Sequence, residues 1–432
     1  MSKTCVIVSP YFPPSTLAGV HRARHLAKHL PAAGWTPIVL CVDEAYHEER
    51  LDPGLVRLVP ASTEVVKVSA VSPRLTRPFG LGEISLRSFV SLRRKLTCLL
   101  ETRSVHAVLI TGSPYYPMLL AAEVKQRFGV PVVLDFQDPW VSGWGATQPR
   151  ISKTGLSHGL ATALEPRALR GASFVTSVSD TQNAQMAARY PWFDRERMAA
   201  IPIGSDPEDF NALDSTDENI GSYELELGCI HLSYVGTIWP PVVPTIRVFL
   251  RAVAALRSKY PKLYDRLRLN FVGTTANPND VAGFRVLALA EAAGVENIVR
   301  EIPQRIPYLD ALSILLRSDA TLMLGSDEPH YTASKIYPYL MSGKPYLSVF
   351  HRASSAHEIL TAAGGGVALA FSTGEELAAL EEVICDGLHR LVTEPETLGK
   401  ADSAVYMPFE ARAIAERYAA IFERLLSERK KP

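Results

Sequence analysis

The chain has 432 residues, enough for two or three domains at roughly 100–200 residues each. Hydrophobic residues make up 47% and charged residues 21%, the balance of a globular protein with sizeable cores. Lys+Arg and Asp+Glu both number 45, so the net charge is zero, which argues against a wholesale nucleic-acid binder.

Cys5, Cys41, Cys98, Cys229 and Cys385 are scattered, with no CxxC pair, and read as reduced core thiols in a cytosolic compartment. The apolar run at residues 5–8 stops at Ser9-Pro10, too short for the apolar region of a signal peptide. No run approaches the ~20 apolar residues of a membrane span. The expectation is a cytoplasmic protein.

In chain order, residues 5–8 read as a strand, 19–30 as a helix and 37–42 as a second strand. Strands follow at 106–111, 132–136 and 174–177, with a helix around 118–128. Residues 211–228 are acidic, turn-rich and aperiodic, a linker signature. A second series then begins, with strands at 231–235, 267–272, 298–302, 320–324 and 346–350. Its helices are expected at 245–259, 282–293, 308–317, 334–342 and 375–393, and a last helix at 409–429. Short apolar runs alternating with helices suit an α/β fold with parallel sheets. The expected division is 1–207, a linker at 208–228, 229–407, and a C-terminal helix at 408–432 that packs back on the first domain.

Several loops carry residues suited to chemistry. Gly19 opens a helix after a Pro-rich loop, where a ligand can approach the backbone and a helix N-terminus favours an anion. His21, His25 and His29 recur at i, i+4, i+8; packing explains them better than a metal, and His21 in the first turn is the one placed to reach a cleft. Asp135 and Asp138 follow a buried strand, where carboxylates accept sugar hydroxyls or act as a base, while Asp138 also suits a turn cap. Trp140 offers a flat wall for a sugar face. Ser334 and Lys335 begin a helix after a strand and loop, combining backbone N–H groups, a helix dipole, a hydroxyl and an ammonium suited to a diphosphate. Arg74, Arg77, Arg87, Arg93, Arg94 and Lys95 stand among Leu81, Ile84, Leu86, Phe89 and Val90, a mixture that suits peripheral docking on an anionic membrane as well as a solvated face.

The patterns Tyr11-Phe-Pro-Pro14 with Gly19, Asp135-Phe-Gln-Asp-Pro-Trp140, Ser233-Tyr-Val-Gly236 and Ser334-Lys-Ile-Tyr-Pro-Tyr-Leu-Met-Ser-Gly-Lys-Pro345 occur in that order. Together they resemble the retaining GT-B glycosyltransferases of the family-4 type, in the branch with a DFRDPW-like segment. The resemblance implies two facing Rossmann-like domains with an interdomain cleft. It implies transfer of a sugar from a nucleotide-diphosphate sugar to an acceptor hydroxyl with retention, in glycan, polysaccharide or glycoconjugate biosynthesis. A lipid-linked, sugar or small-molecule acceptor fits, and no metal or other cofactor is required. Gly19, Gly236, Thr237, Ser334, Lys335 and Glu328 would then hold the donor, His21, Asp135 and Trp140 the acceptor or sugar, and Asp138 and Lys335 would act in catalysis.

The chain departs from the family where His330 and Pro338 replace a pair of glutamates, and where Thr237 replaces an arginine after the strand glycine. Asp327 or Glu328 is a candidate substitute, and Trp239 a stacking platform. Gln137 stands where some relatives carry His or Arg, and Gly112 where others carry His, so no catalytic imidazole transfers. Two alternatives stay open: a nucleotide-sugar epimerase of the same fold, and a non-catalytic nucleotide-sugar-binding partner protein.

Overall fold

Thirteen strands form two separate parallel sheets in a computed structural model that describes residues 2–79, 81–213, 223–275, 285–327 and 334–429. The first sheet contains β1 (Lys3–Val8), β2 (Trp35–Val42), β3 (Glu64–Val68), β4 (Ala107–Gly112), β5 (Val132–Phe136), β6 (Phe174–Ser177) and β7 (Met198–Ala200). Its order is β3-β2-β1-β4-β5-β6-β7. The second contains β8 (Ile230–Val235), β9 (Leu267–Val272), β10 (Val299–Ile302), β11 (Ala320–Leu324), β12 (Tyr346–His351) and β13 (Gly366–Phe371), ordered β10-β9-β8-β11-β12-β13. Both orders reverse direction once, between β1 and β4 and between β8 and β11, the doubly wound arrangement whose ligands lie beyond the strands' carboxyl ends at the reversal.

Side-chain alternation explains why each sheet needs cover on both faces. Cys5 and Ile7 of β1 point into a core shared with Ala23, Leu26 and the helix Ala411–Arg429. Val6 and Val8 point the other way, onto Leu92, Leu96 and Leu99 of the helix Ile84–Thr102. In the second sheet, Leu232, Leu269 and Leu322 meet Ile246, Phe249 and Val253 of the helix Val243–Lys259.

The chain divides into one unit of Met1–Ser205 with Ala411–Pro432, and a second unit of Asp206–Glu410. The segment read as a linker is therefore part of the second unit. Its start is a 3-10 helix, Pro207–Ala212, and Tyr223 is buried against Val272 and Ile314 with Arg300 at 4.3 Å over its ring. An aromatic side chain able to bury itself decides this, against the polar composition around it. Residues 214–222 lie outside the described residues.

Three strands depart from the sequence expectation. β3 and β7 are edge strands with half-buried side chains, and β13 starts at Gly366 behind two further glycines, so none shows a clear apolar run. The helix Lys153–Gly171 is also unexpected, because Gly155, Gly159 and Pro166 interrupt its pattern. Tertiary packing selects it: a Cβ on Gly171 would overlap the backbone of Ala121 and Ala122. No described helix is long and apolar enough to cross a membrane.

Candidate functional site

In the first unit, the end of β5 and the loop after it divide into a buried network and an exposed tip. Asp135 is fully buried, and its carboxylate is surrounded by donors. Arg22 Nε donates to Oδ2 at 3.2 Å and Gln137 Nε2 to the same oxygen at 3.3 Å. Thr176 Oγ1 and Tyr418 Oη donate to Oδ1 at 2.8 and 2.7 Å. Arg22 is itself fully buried and donates further to the carbonyls of Pro202 and Ile201. This corrects the reading of Asp135 as a sugar ligand: its four donors come from β6, two helices and the loop after β5, so it ties these elements together.

Asp138, three residues on, is exposed, and Tyr115 Oη donates to its backbone carbonyl at 2.9 Å. Its carboxyl retains solvent access while protein crowds around it, and this desolvation pushes its pKa above the ordinary aspartate value. Trp140 stacks on Tyr115 with ring centroids 5.2 Å apart and meets Tyr116 edge-on at 5.9 Å. One face of the expected sugar wall is thus covered by Tyr115. Buried Glu165 fixes the turn below, accepting from Val141 N at 3.1 Å and from Arg189 Nη2 at 3.1 Å.

The helix after Gly19 runs from Val20 to His29. A Cβ on Gly19 would lie 3.1 Å from Gln137 Oε1 and 3.3 Å from Ser113 O, so this glycine serves close approach of two loops of the protein. Arg24 Nη2 donates to His21 Nδ1 at 3.1 Å and to His25 Nε2 at 2.9 Å. An arginine only donates, so both ring nitrogens accept. Burial and then the neighbouring Arg24 charge push His21 down to about 3, which keeps it neutral.

In the second unit, three expected donor residues meet at the carboxyl end of β8, beside the sheet's reversal point. Lys335 Nζ donates to Tyr234 Oη at 2.6 Å and to the Thr237 carbonyl at 3.4 Å, and lies 4.5 Å from the centre of the Tyr234 ring. Gly236 has φ +142°, and a Cβ there would meet Lys335 Nζ at 3.1 Å. Only a glycine both adopts this backbone with ease and leaves room for the ammonium. Tyr339, one turn along, accepts from Val235 N at 2.6 Å and donates to Val235 O at 2.9 Å. The segment is thus clamped to β8 at two points. Tyr234 and Tyr339 were not expected in this role; their hydroxyls carry no pattern in sequence.

The helix itself is short. It covers Ile336–Met341, with Ser334 and Lys335 in the preceding turn, which corrects the expectation of a helix starting at Ser334. Glu328 and His330 lie outside the described residues. Trp239 is half exposed at 52%. The nearby helix Val286–Ala293 is closed to an anion, because Glu301 occupies its N-terminus, accepting from Arg285 N, Val286 N and Leu287 N at 3.1, 2.8 and 2.9 Å and from Thr274 Oγ1 at 2.6 Å. The basic segment is also redistributed. Arg87 is buried and bonded to the carbonyls of Gly82, Val71 and Tyr46, so it is unavailable to a membrane. Arg77 pairs with Glu48 at 2.8 Å and Arg93 with Glu123 at 2.6 Å, leaving Arg74 and Arg94 exposed and Lys95 partly buried.

Residues 18–204 match the model of the glycosyl transferase 4-like domain. No curated protein matches the chain in sequence. Among solved structures, a glycosyltransferase from Rickettsia africae is similar over 100% of both chains, with a TM-score of 0.62 and 16% identity. The Anabaena protein HepE, solved with UDP, is similar over 98% of this chain and 100% of its own, with a TM-score of 0.62 and 15% identity. A trehalose-6-phosphate synthase from Burkholderia multivorans gives a TM-score of 0.61 at 12% identity over 100% of both. The fold is that of the GT-B glycosyltransferases. Together with the domain match, it supports sugar transfer as the class of activity.

Proposed function

We propose that the protein transfers a sugar from a nucleotide-diphosphate sugar to an acceptor hydroxyl, with the donor bound at the second unit and with retention of configuration. The observation that carries this reading is Lys335 packed on Gly236 and Thr237 at the carboxyl end of β8. An ammonium held by Tyr234 at the sheet's reversal point balances diphosphate charge, which grows on the leaving group as the glycosidic bond breaks. Ser334 adds a hydroxyl one residue away. The raised carboxyl of Asp138 suits transient proton acceptance from an acceptor hydroxyl, because a base works best with a pKa nearer the working pH. Similar proteins have been solved with UDP and UDP-glucose, which makes a uridine-diphosphate sugar the first donor to test.

The test is thermal unfolding with UDP, UDP-glucose, GDP and ADP, followed by turnover of any stabilising nucleotide sugar. Ligand binding to the folded state raises the melting temperature. The reading expects a shift with at least one nucleotide, lost in Lys335→Ala. Product formed from nucleotide sugar without any acceptor favours an epimerase instead. No shift with any nucleotide overturns the reading.

A further inference from the structure

We propose that the hairpin formed by the short helix Gly143–Thr147 and the start of the helix Lys153–Gly171 docks the protein on an anionic lipid surface. This inference is independent of the donor site. Four large apolar side chains crowd into this stretch and point to solvent: Trp144 at 67%, Ile151 at 92%, Leu156 at 64% and Leu160 at 44% exposure. Single exposed apolar residues are ordinary, but a cluster of this kind marks a contact surface.

Helical geometry places Leu156 and Leu160 on one side of the long helix. Ala161, Glu165, Ala168 and Leu169 face the core. Leu156 and Leu160, one turn apart, lie on the opposite face, so the helix is apolar on both sides. The short helix and its loop pack closely on the long helix. A Cβ on Gly145 would lie 2.7 Å from His158 Nδ1, and one on Gly155 would overlap the carbonyl of Pro149. Glycines there let the short helix and its loop, which carry Trp144 and Ile151, press directly on the long helix.

Charge selects the partner. Residues 139–164 contain no Asp or Glu, although the chain as a whole has as many acids as bases. Arg150 and Lys153 flank Ile151 and are exposed, with no ion pair among the described residues. Exposed tryptophan, isoleucine and leucine with unpaired cations and no anions fit a bilayer interface bearing anionic headgroups. The exposed Arg74 and Arg94 lie on other elements and supply the comparison surface.

The experiment is co-sedimentation of the full chain with vesicles of phosphatidylcholine alone and of phosphatidylcholine mixed with phosphatidylglycerol. The parent chain is expected in the pellet with the mixed vesicles, and salt should weaken this binding, since the screening length is ~8 Å at physiological ionic strength. Ile151→Asp with Leu156→Asp should cut partitioning by about tenfold or more, the scale of losing two apolar side chains from an apolar environment. Arg150→Glu with Lys153→Glu should abolish the preference for the anionic lipid, whereas Arg74→Glu with Arg94→Glu should change it little. All substituted side chains are exposed, and thermal unfolding and circular dichroism check that each variant folds. Equal partitioning of the parent and the Ile151/Leu156 variant overturns the proposal. So does a parent chain that ignores both vesicles and self-associates through this face, measured by sedimentation velocity.

Discussion

Tyr418 and Asp135 meet at 2.7 Å, the phenol of the last helix donating to a carboxylate at the end of β5. Thr176 completes a triangle, lying 2.8 Å from the carboxylate and 2.9 Å from the phenol, and Arg22 closes the other side. A helix 283 positions away in sequence is thus tied to the first sheet by a buried polar network that leaves no oxygen of Asp135 unpaired.

Asp135→Asn should destabilise the first unit strongly. Removing the carboxylate leaves the Arg22 charge buried without its partner, a change that costs about 3–5 kcal/mol in comparable sites. Tyr418→Phe, which removes one of several donors, should cost about 1–3 kcal/mol. Urea denaturation read at two wavelengths checks both. A loss below 1 kcal/mol for Asp135→Asn, within the scale ordinary for surface changes, would show that the network carries little stability.

Lys335→Ala should cost donor affinity and rate together. A charge-assisted contact contributes about 1.5–3 kcal/mol, which corresponds to roughly 10- to 150-fold in kcat/KM. Lys335→Arg should recover only part of this, because a planar guanidinium does not fit the space over Gly236 occupied by a compact ammonium. Gly236→Ala should mimic Lys335→Ala, since its Cβ would displace Nζ. Steady-state kinetics decide: near-normal kcat/KM in folded Lys335→Ala assigns the donor to another place.

Asp138 predicts a pH dependence with a definite sign. Desolvation raises its carboxyl, so an activity that needs the carboxylate should fall on the acid side at a pH above the ordinary aspartate range. The same shift means the folded state holds this proton more tightly than the unfolded chain. Its favourable contribution is full below the unfolded pKa and disappears as pH rises through the folded one. Asp138→Asn should therefore abolish the acid limb and leave the protein more stable at neutral pH, not less. His21, held near 3, cannot supply that limb. An unchanged pH–rate profile in Asp138→Asn removes Asp138 from catalysis.

Glu301→Ala should unfasten the start of the helix Val286–Ala293, because three backbone N–H groups lose their acceptor. The expected loss is about 1–3 kcal/mol, with hydrogen exchange rising at residues 285–287. Glu301→Gln should lose less, since an amide oxygen still accepts. Unchanged protection in Glu301→Ala would show that the helix start is held by packing.

The sequence by itself determined the class of architecture. Apolar runs are legible because a strand buried on both faces draws mostly apolar side chains, as in residues 5–8 of β1, 132–134 of β5 and 322–324 of β11. It also brought Gly236, Thr237 and Lys335 into one hypothesis, since their motifs follow local strand-to-loop geometry. What only the tertiary structure decided is where each polar side chain spends its hydrogen bonds. Asp135 and Asp138 belong to one short sequence motif, yet one is enclosed by Arg22, Thr176 and Tyr418 and the other meets solvent. Arg87 and Arg94 belong to one basic run, yet one is buried on backbone carbonyls and the other is exposed. Most partners of Asp135 and Arg87 lie 16 to 283 residues away, and no local pattern encodes a contact whose two halves are brought together only by folding.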